Sequence, residues 1–305
     1  MNNKYDTEKF RGILVALNSL FDENDKVNCT AVKQLVRKYK EVGVTGVYVC
    51  GSSGEGFMMS VEERKELLAA VMEEVGGEMT VIAHIGATAT RDAVELAKHA
   101  ESVGVDAVSS VPSVYYRLPE ESIEMNWDAI SDAVDVPFII YNIPQLTGYN
   151  LSDNLFKKMM AKPKVIGIKN TSEAGWQMER FRTLAGKDIV LFNGPDEQYL
   201  GGRVMGADAG IGGTYGCMPE LYVHLESLIR EGKMEEAMVW QKRINECIFA
   251  LLKCPSLYGA SKAVIKIRYG IEAGIPRLPL LPVDPEGEQA QEIAALIEKY
   301  VAMIK

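Results

Sequence analysis

The chain is short of cysteine, of histidine, of positive charge and of long apolar runs, and each shortage removes a class of protein. Its five cysteines, Cys29, Cys50, Cys217, Cys247 and Cys254, are odd in number and scattered, with no C-x-x-C pair. That pattern speaks against a disulfide framework and for a reducing compartment. The three histidines, His84, His99 and His224, stand alone without ligand spacing, so no metal site is expected. Lys and Arg number 33 against 42 Asp and Glu, a net charge of −9; a nucleic-acid surface needs clustered cations instead. No apolar run approaches the roughly 18 residues of a membrane span. The opening MNNKYDTEKFRG is polar and holds no apolar signal core. The expectation is a cytoplasmic protein that takes a small molecule and binds neither nucleic acid nor membrane.

What is present is a globular composition, 47% hydrophobic and 25% charged, with nothing that reads as disordered. Short Val- and Ile-rich runs recur at 13–18, 46–50, 80–85, 107–111, 137–142, 165–170, 189–193 and 209–214. Between them lie helix-period stretches such as CTAVKQLVRKYKEVG, SVEERKELLAAVMEEVG and TRDAVELAKHAESVG. Ser60 and Thr90 are placed to cap two of these, and Gly43, Gly76 and Gly104 to close three in the left-handed conformation.

Eight apolar strands alternating with helices describe a parallel sheet covered by helices. An open doubly wound sheet needs a glycine-rich first βα turn, and the turn here, SLFDENDK, has no glycine. The spacing predicts a (β/α)₈ TIM barrel, which takes about 250 residues. It spans residues 1–231 and is followed by a helical extension over 232–305, in which PRLPLLPVDPEG is a connector.

A parallel barrel carries its site at the carboxyl ends of its strands. There the chain places GSSGE (51–55), YYR (115–117), YNIP (141–144), KNTS (169–172), NGPDE (193–197) and GGTYG (212–216). Lys169 ends the apolar run VIGI. Partial desolvation there would disfavour its ammonium and leave an amine able to attack a carbonyl; the plainer reading is a lysine leaving a strand for solvent. Tyr141 ends the neighbouring strand, either as a proton-moving phenol or as a core tyrosine. Ser52 and Ser53 lie in a Gly-flanked turn that suits a carboxylate or is an ordinary βα turn. GADAGIGGTYG fails as a dinucleotide fingerprint, because Tyr215 stands at the third glycine position. Asp196 and Glu197 are a solvated helix start or acceptors for a polyol.

Taken in order and spacing, GSSGE, YNIP, GIKNTS, NGPDE and GIGGTY resemble the N-acetylneuraminate lyase and dihydrodipicolinate synthase superfamily, over essentially the whole chain. The resemblance implies that Lys169 forms a Schiff base with pyruvate or another 2-keto acid. Ser52 and Ser53 would hold the carboxylate and Tyr141 would shuttle protons. Tyr115 would be the tyrosine lent by a neighbouring subunit of a homotetramer. Leu146 stands where the synthase branch carries an arginine, whereas Asp196 and Glu197 match the pair with which the lyase branch contacts a sugar-acid tail. Thr171 would lie near the C4 hydroxyl and Gly194 would offer its backbone. Two departures accompany this: Ser52-Ser53 replaces the usual Ser-Thr, and Gly213 replaces a serine facing the tail. The chemistry implied is a cofactor-free, class I lyase reaction on N-acetylneuraminate. A shorter 2-keto-3-deoxy sugar acid is the alternative, and a non-catalytic keto-acid-binding barrel ranks below both.

Overall fold

A computed structural model describes residues 5–112 and 114–304. The strands are β1 Gly12–Ala16, β2 Gly46–Val49, β3 Thr80–His84, β4 Ala107–Ser110, β5 Phe138–Asn142, β6 Val165–Asn170, β7 Val190–Asn193 and β8 Ala209–Gly212. They pair in parallel in that order, and β8 returns to β1 through Gly12↔Ala209 and Val15↔Gly212, closing the barrel. The helices on the barrel are α1 Cys29–Val42, α2 Val61–Val75, α3 Thr90–Ser102, α4 Glu120–Asp132, α5 Pro144–Thr147, α6 Asp153–Met160, α7 Trp176–Ala185, α8 Tyr199–Val204 and α9 Pro219–Arg230. They are followed by α10 Met234–Leu251, α11 Leu257–Tyr269 and α12 Glu288–Val301.

Alternate strand residues serve two cores, as a pleated strand covered on both faces requires. Leu14, Tyr48, Ile82, Ile139, Tyr141, Phe192 and Ile211 cluster inside the barrel. Ile13, Val47, Val81, Phe138, Ile140 and Leu191 face the helices.

The helix ends differ from the sequence expectation at two points. Ser60 caps α2 with a full capping box, its hydroxyl accepting from Glu63 N and Glu63 returning to the Ser60 amide. Thr90 is not a cap. Ala89 holds that position, and the Thr90 hydroxyl instead donates to Asn126 Oδ1 of α4 at 2.8 Å. Gly43 and Gly104 are left-handed, but Gly76 has φ −56° and Gly77 takes the positive φ. No helix of the described residues is long and apolar enough to cross a membrane.

Candidate active site

Lys169 reaches the barrel interior through an irregularity in β6. Phe138 pairs with Val165, but Ile139 pairs with Gly167, so β6 carries one residue more than β5 at that point. Plain alternation from Val165, which faces the helices, would turn Lys169 outward. The extra residue restores the parity, so Ile168 faces the helices and Lys169 faces inward. Gly167 makes the irregularity possible, since a Cβ there would overlap the Val190 carbonyl of β7.

Inside, Lys169 is 4% exposed. Its Nζ stands 4.2 Å from the Tyr141 ring centre and 4.6 Å from that of Tyr48. A cation gains from such ring faces, and more so when desolvated. Tyr141 and Lys169 are direct partners in the β5–β6 pairing, which fixes their proximity. The Tyr48 hydroxyl donates to Ser109 Oγ at 3.0 Å, and burial raises the Tyr48 phenol well above its ordinary range.

His84 completes this layer, its ring 5.9 Å from both Tyr48 and Tyr141. Its Nδ1–H donates to the Cys50 carbonyl at 3.0 Å. Burial first, then the positive charges of Arg64 and Lys169, lower its pKa to about 3. The ring is therefore neutral at physiological pH, with its Nε2 lone pair buried and unpartnered among the described residues.

The GSSGE segment forms a tight turn. The Gly54 and Gly56 amides donate to the Gly51 carbonyl, and the Glu55 amide donates to Ser52 O at 3.0 Å. Ser52 and Ser53 are half-buried. Ser53 faces Gly213 so closely that a Cβ on Gly213 would overlap its hydroxyl. Across the barrel mouth, Thr171 packs where Gly194 has no side chain, and its hydroxyl is buried without a partner among the described residues. The Gly194 N–H already donates to the Asn170 carbonyl at 2.9 Å, so the backbone it has to offer is its carbonyl.

Asp196 and Glu197 are adjacent in sequence but differently placed. The Asp196 carboxylate is buried and accepts from the Thr214 amide at 2.7 Å and the Thr214 hydroxyl at 2.6 Å. Burial nevertheless raises its pKa to about 6, with the Thr214 bonds opposing. Glu197 is exposed. Tyr115 is 88% exposed, with φ 77°, on the loop after β4. Within one chain, Lys169 and Tyr141 come together while Tyr115 stays outside. Tyr48, His84 and Ser109 join them unannounced by any motif, although their strand-end parity was readable. No group of His, Cys, Asp and Glu among the described residues is placed to hold a metal.

A closed parallel barrel with a lysine buried at the end of β6 narrows the class, and comparison with known proteins defines it. Residues 9–299 match the dihydrodipicolinate synthetase family, and the chain belongs to that family. It is similar to the N-acetylneuraminate lyase of Mediterraneibacter gnavus, 44% identical over 293 residues, or 95% of this chain and 93% of the relative. Among solved structures it is similar to the catalytic lysine mutant of the Ruminococcus gnavus sialic acid aldolase. There the TM-score is 0.96 and the identity 42%, over 99% of this chain and 100% of that one. It is also similar to CdNal from Clostridium difficile in complex with mannosamine, with TM-score 0.88 and 31% identity over 97% and 99% of the two chains.

Proposed function

We propose that this chain is a Schiff-base lyase that cleaves N-acetylneuraminate reversibly to N-acetylmannosamine and pyruvate. The observation that carries the reading is Lys169, buried at the end of β6 with its Nζ against the rings of Tyr141 and Tyr48. The likeness to the named lyases supports the same reading.

In this proposal the Lys169 amine adds to the C2 ketone of the open-chain sugar acid, and Tyr141 gives its proton to the departing hydroxyl, so that water leaves, the iminium forms and Tyr141 remains as a phenolate. Tyr141 takes the proton of the C4 hydroxyl, the C3–C4 bond breaks, and its electron pair moves into the iminium to leave an enamine. The new C4 carbonyl departs with the amino sugar. Protonation at C3 and hydrolysis then release pyruvate and restore the lysine. The iminium is the electron sink, so the cleavage calls for no metal or organic cofactor. Ser52 and Ser53 are assigned to the keto-acid carboxylate and Thr171 to the C4 hydroxyl. The Gly194 carbonyl, Asp196, Glu197 and the open face at Gly213 are assigned to the tail. Tyr115 is assigned to the site of a neighbouring copy in a homotetramer. The reading also takes 1–231 as barrel and 232–305 as extension, in a cytoplasmic enzyme.

One observation favours a shorter 2-keto-3-deoxy sugar acid as the second reading. Asp196 Oδ2 already holds two Thr214 bonds, which leaves its carboxylate only Oδ1 to offer a polyol. Pyruvate release from N-acetylneuraminate beside 2-keto-3-deoxygluconate separates the two. The chemistry itself is tested with pyruvate and borohydride, which should leave a reduced three-carbon adduct on the wild-type chain and none on Lys169→Ala. Equal labelling of both proteins overturns the Schiff-base proposal.

A further inference from the structure

The turn from Cys50 to Gly56 is held in an unfavourable shape. Cys50 has φ 59° and Glu55 has φ 54°, so non-glycine residues in the left-handed region bracket Ser52 and Ser53 on both sides. Such conformations persist only where the surroundings impose them. The turn's own bonds close it without explaining who bears the strain, and the groups that anchor its two ends come from outside it.

At the first end, His84 Nδ1–H from β3 holds the Cys50 carbonyl. At the second, the anchor comes from the far end of the sequence. Lys262 of α11 meets Glu55 Oε1 at 2.6 Å, with both side chains at most 1% exposed. Glu55 Oε2 accepts the Arg277 backbone N–H at 2.7 Å. Lys262 also donates to the Ile275 carbonyl at 3.1 Å and lies over the Phe21 ring at 4.4 Å. The Arg277 guanidinium is itself fixed by Glu63 and Asp25. On the other flank α11 packs against Thr214–Cys217, the segment that follows Gly213.

A buried ion pair is a poor device for stability alone, because desolvating two charges offsets most of their attraction. Its value lies in fixing one geometry, and here it ends on a strained residue two positions from Ser53. We propose that Glu55 and Lys262 are positioning residues for the keto-acid carboxylate. On this view the C-terminal extension belongs to the binding machinery, holding the turn in the form that presents Ser52 and Ser53. The inference rests on the proposed reading of that turn as the carboxylate site.

The test removes both charges together, in Glu55→Gln/Lys262→Met, so that no unpaired charge is left in the interior. Borohydride trapping is followed against pyruvate concentration in the full-length protein, with thermal unfolding recorded beside it. The half-saturating pyruvate concentration should rise about tenfold, the equivalent of one charge-assisted hydrogen bond, while the maximal trapping rate changes little. A folded double variant with unchanged half-saturation overturns the proposal, as does a loss confined to the maximal rate. Should the wild type fail to trap pyruvate at all, the Schiff-base reading falls instead.

Hydrogen exchange on the unmodified protein decides the matter even if the variant does not fold. Pyruvate should slow the amides of the 51–56 turn and the Arg277 amide together. Protection of the turn with no change at Arg277 overturns the coupling.

Discussion

At Asp196 the burial that raises the carboxyl to about 6, from an ordinary 3.8, has a thermodynamic consequence. Between those values the folded chain binds a proton that the unfolded chain has released. Stability should therefore be greatest at the acid end of the window and fall as pH rises through it, by roughly 3 kcal/mol for this group alone. Asp196→Asn keeps an oxygen to accept both Thr214 bonds and has nothing to titrate. Its stability relative to wild type should increase from about pH 4 to about pH 7, read from denaturant unfolding at each pH. A difference that shrinks across that range would overturn this account.

The same residue marks the limit of sequence reading. NGPDE identifies two carboxylates after β7, but only the coordinates separate a buried one bound to Thr214 from an exposed neighbour. Lys169 and Tyr141 were legible because both end apolar runs on adjacent strands. His84 stands in no motif and has no ligand spacing, so only its parity in β3 points to it. Counting by twos from Ile82 places it on the interior face, beside Tyr48 and Tyr141.

Among the elements, β6 is the informative one. All eight strands lie within a residue or two of where their Val- and Ile-rich runs fall, since a strand covered on both faces must be apolar throughout. That same uniformity conceals register, because an all-apolar strand does not declare which residues face in. Gly167 is the one signal of the extra residue. Gly167→Ala would press a methyl into the Val190 carbonyl, costing about 1–3 kcal/mol and shifting the strand that aims Lys169. We expect a lower urea midpoint together with reduced borohydride labelling. Gly201→Ala, on α8 where nothing beyond its own helix turn lies within 4 Å of the added carbon, is the matched control and should leave labelling intact. If the two variants label alike, the irregularity does not place the lysine. The Thr90 cap departs from expectation because a cap depends on what stands nearby: Asn126 of α4 competes for the Thr90 hydroxyl.

For the whole molecule, the proposed assignment of Tyr115 to a neighbouring copy makes a prediction about assembly. Tyr115 is 88% exposed at φ 77°, with its ring edge-on to Tyr116 and outside the Lys169 pocket. If copies exchange it, Lys169→Ala and Tyr115→Ala chains, each nearly inactive, should recover activity when unfolded and refolded together. Hybrid assemblies then contain sites with both a lysine and a borrowed tyrosine. A mixture no more active than the sum of its parts would confine each site to one subunit.

The contact between Ser53 and Gly213 carries a consequence for how such a pocket changes over generations. In the sequence the two departures, serine for threonine and glycine for serine, look like independent letters. In the fold they touch, and a side chain added at 213 would turn the Ser53 hydroxyl away from its present direction. On the proposed assignments, selection for a different sugar tail at 213 would register also as a change in grip on the keto acid at Ser53. On those assignments, a side chain gained at 213 must be accommodated at Ser53, so the two positions are coupled steps and not independent ones.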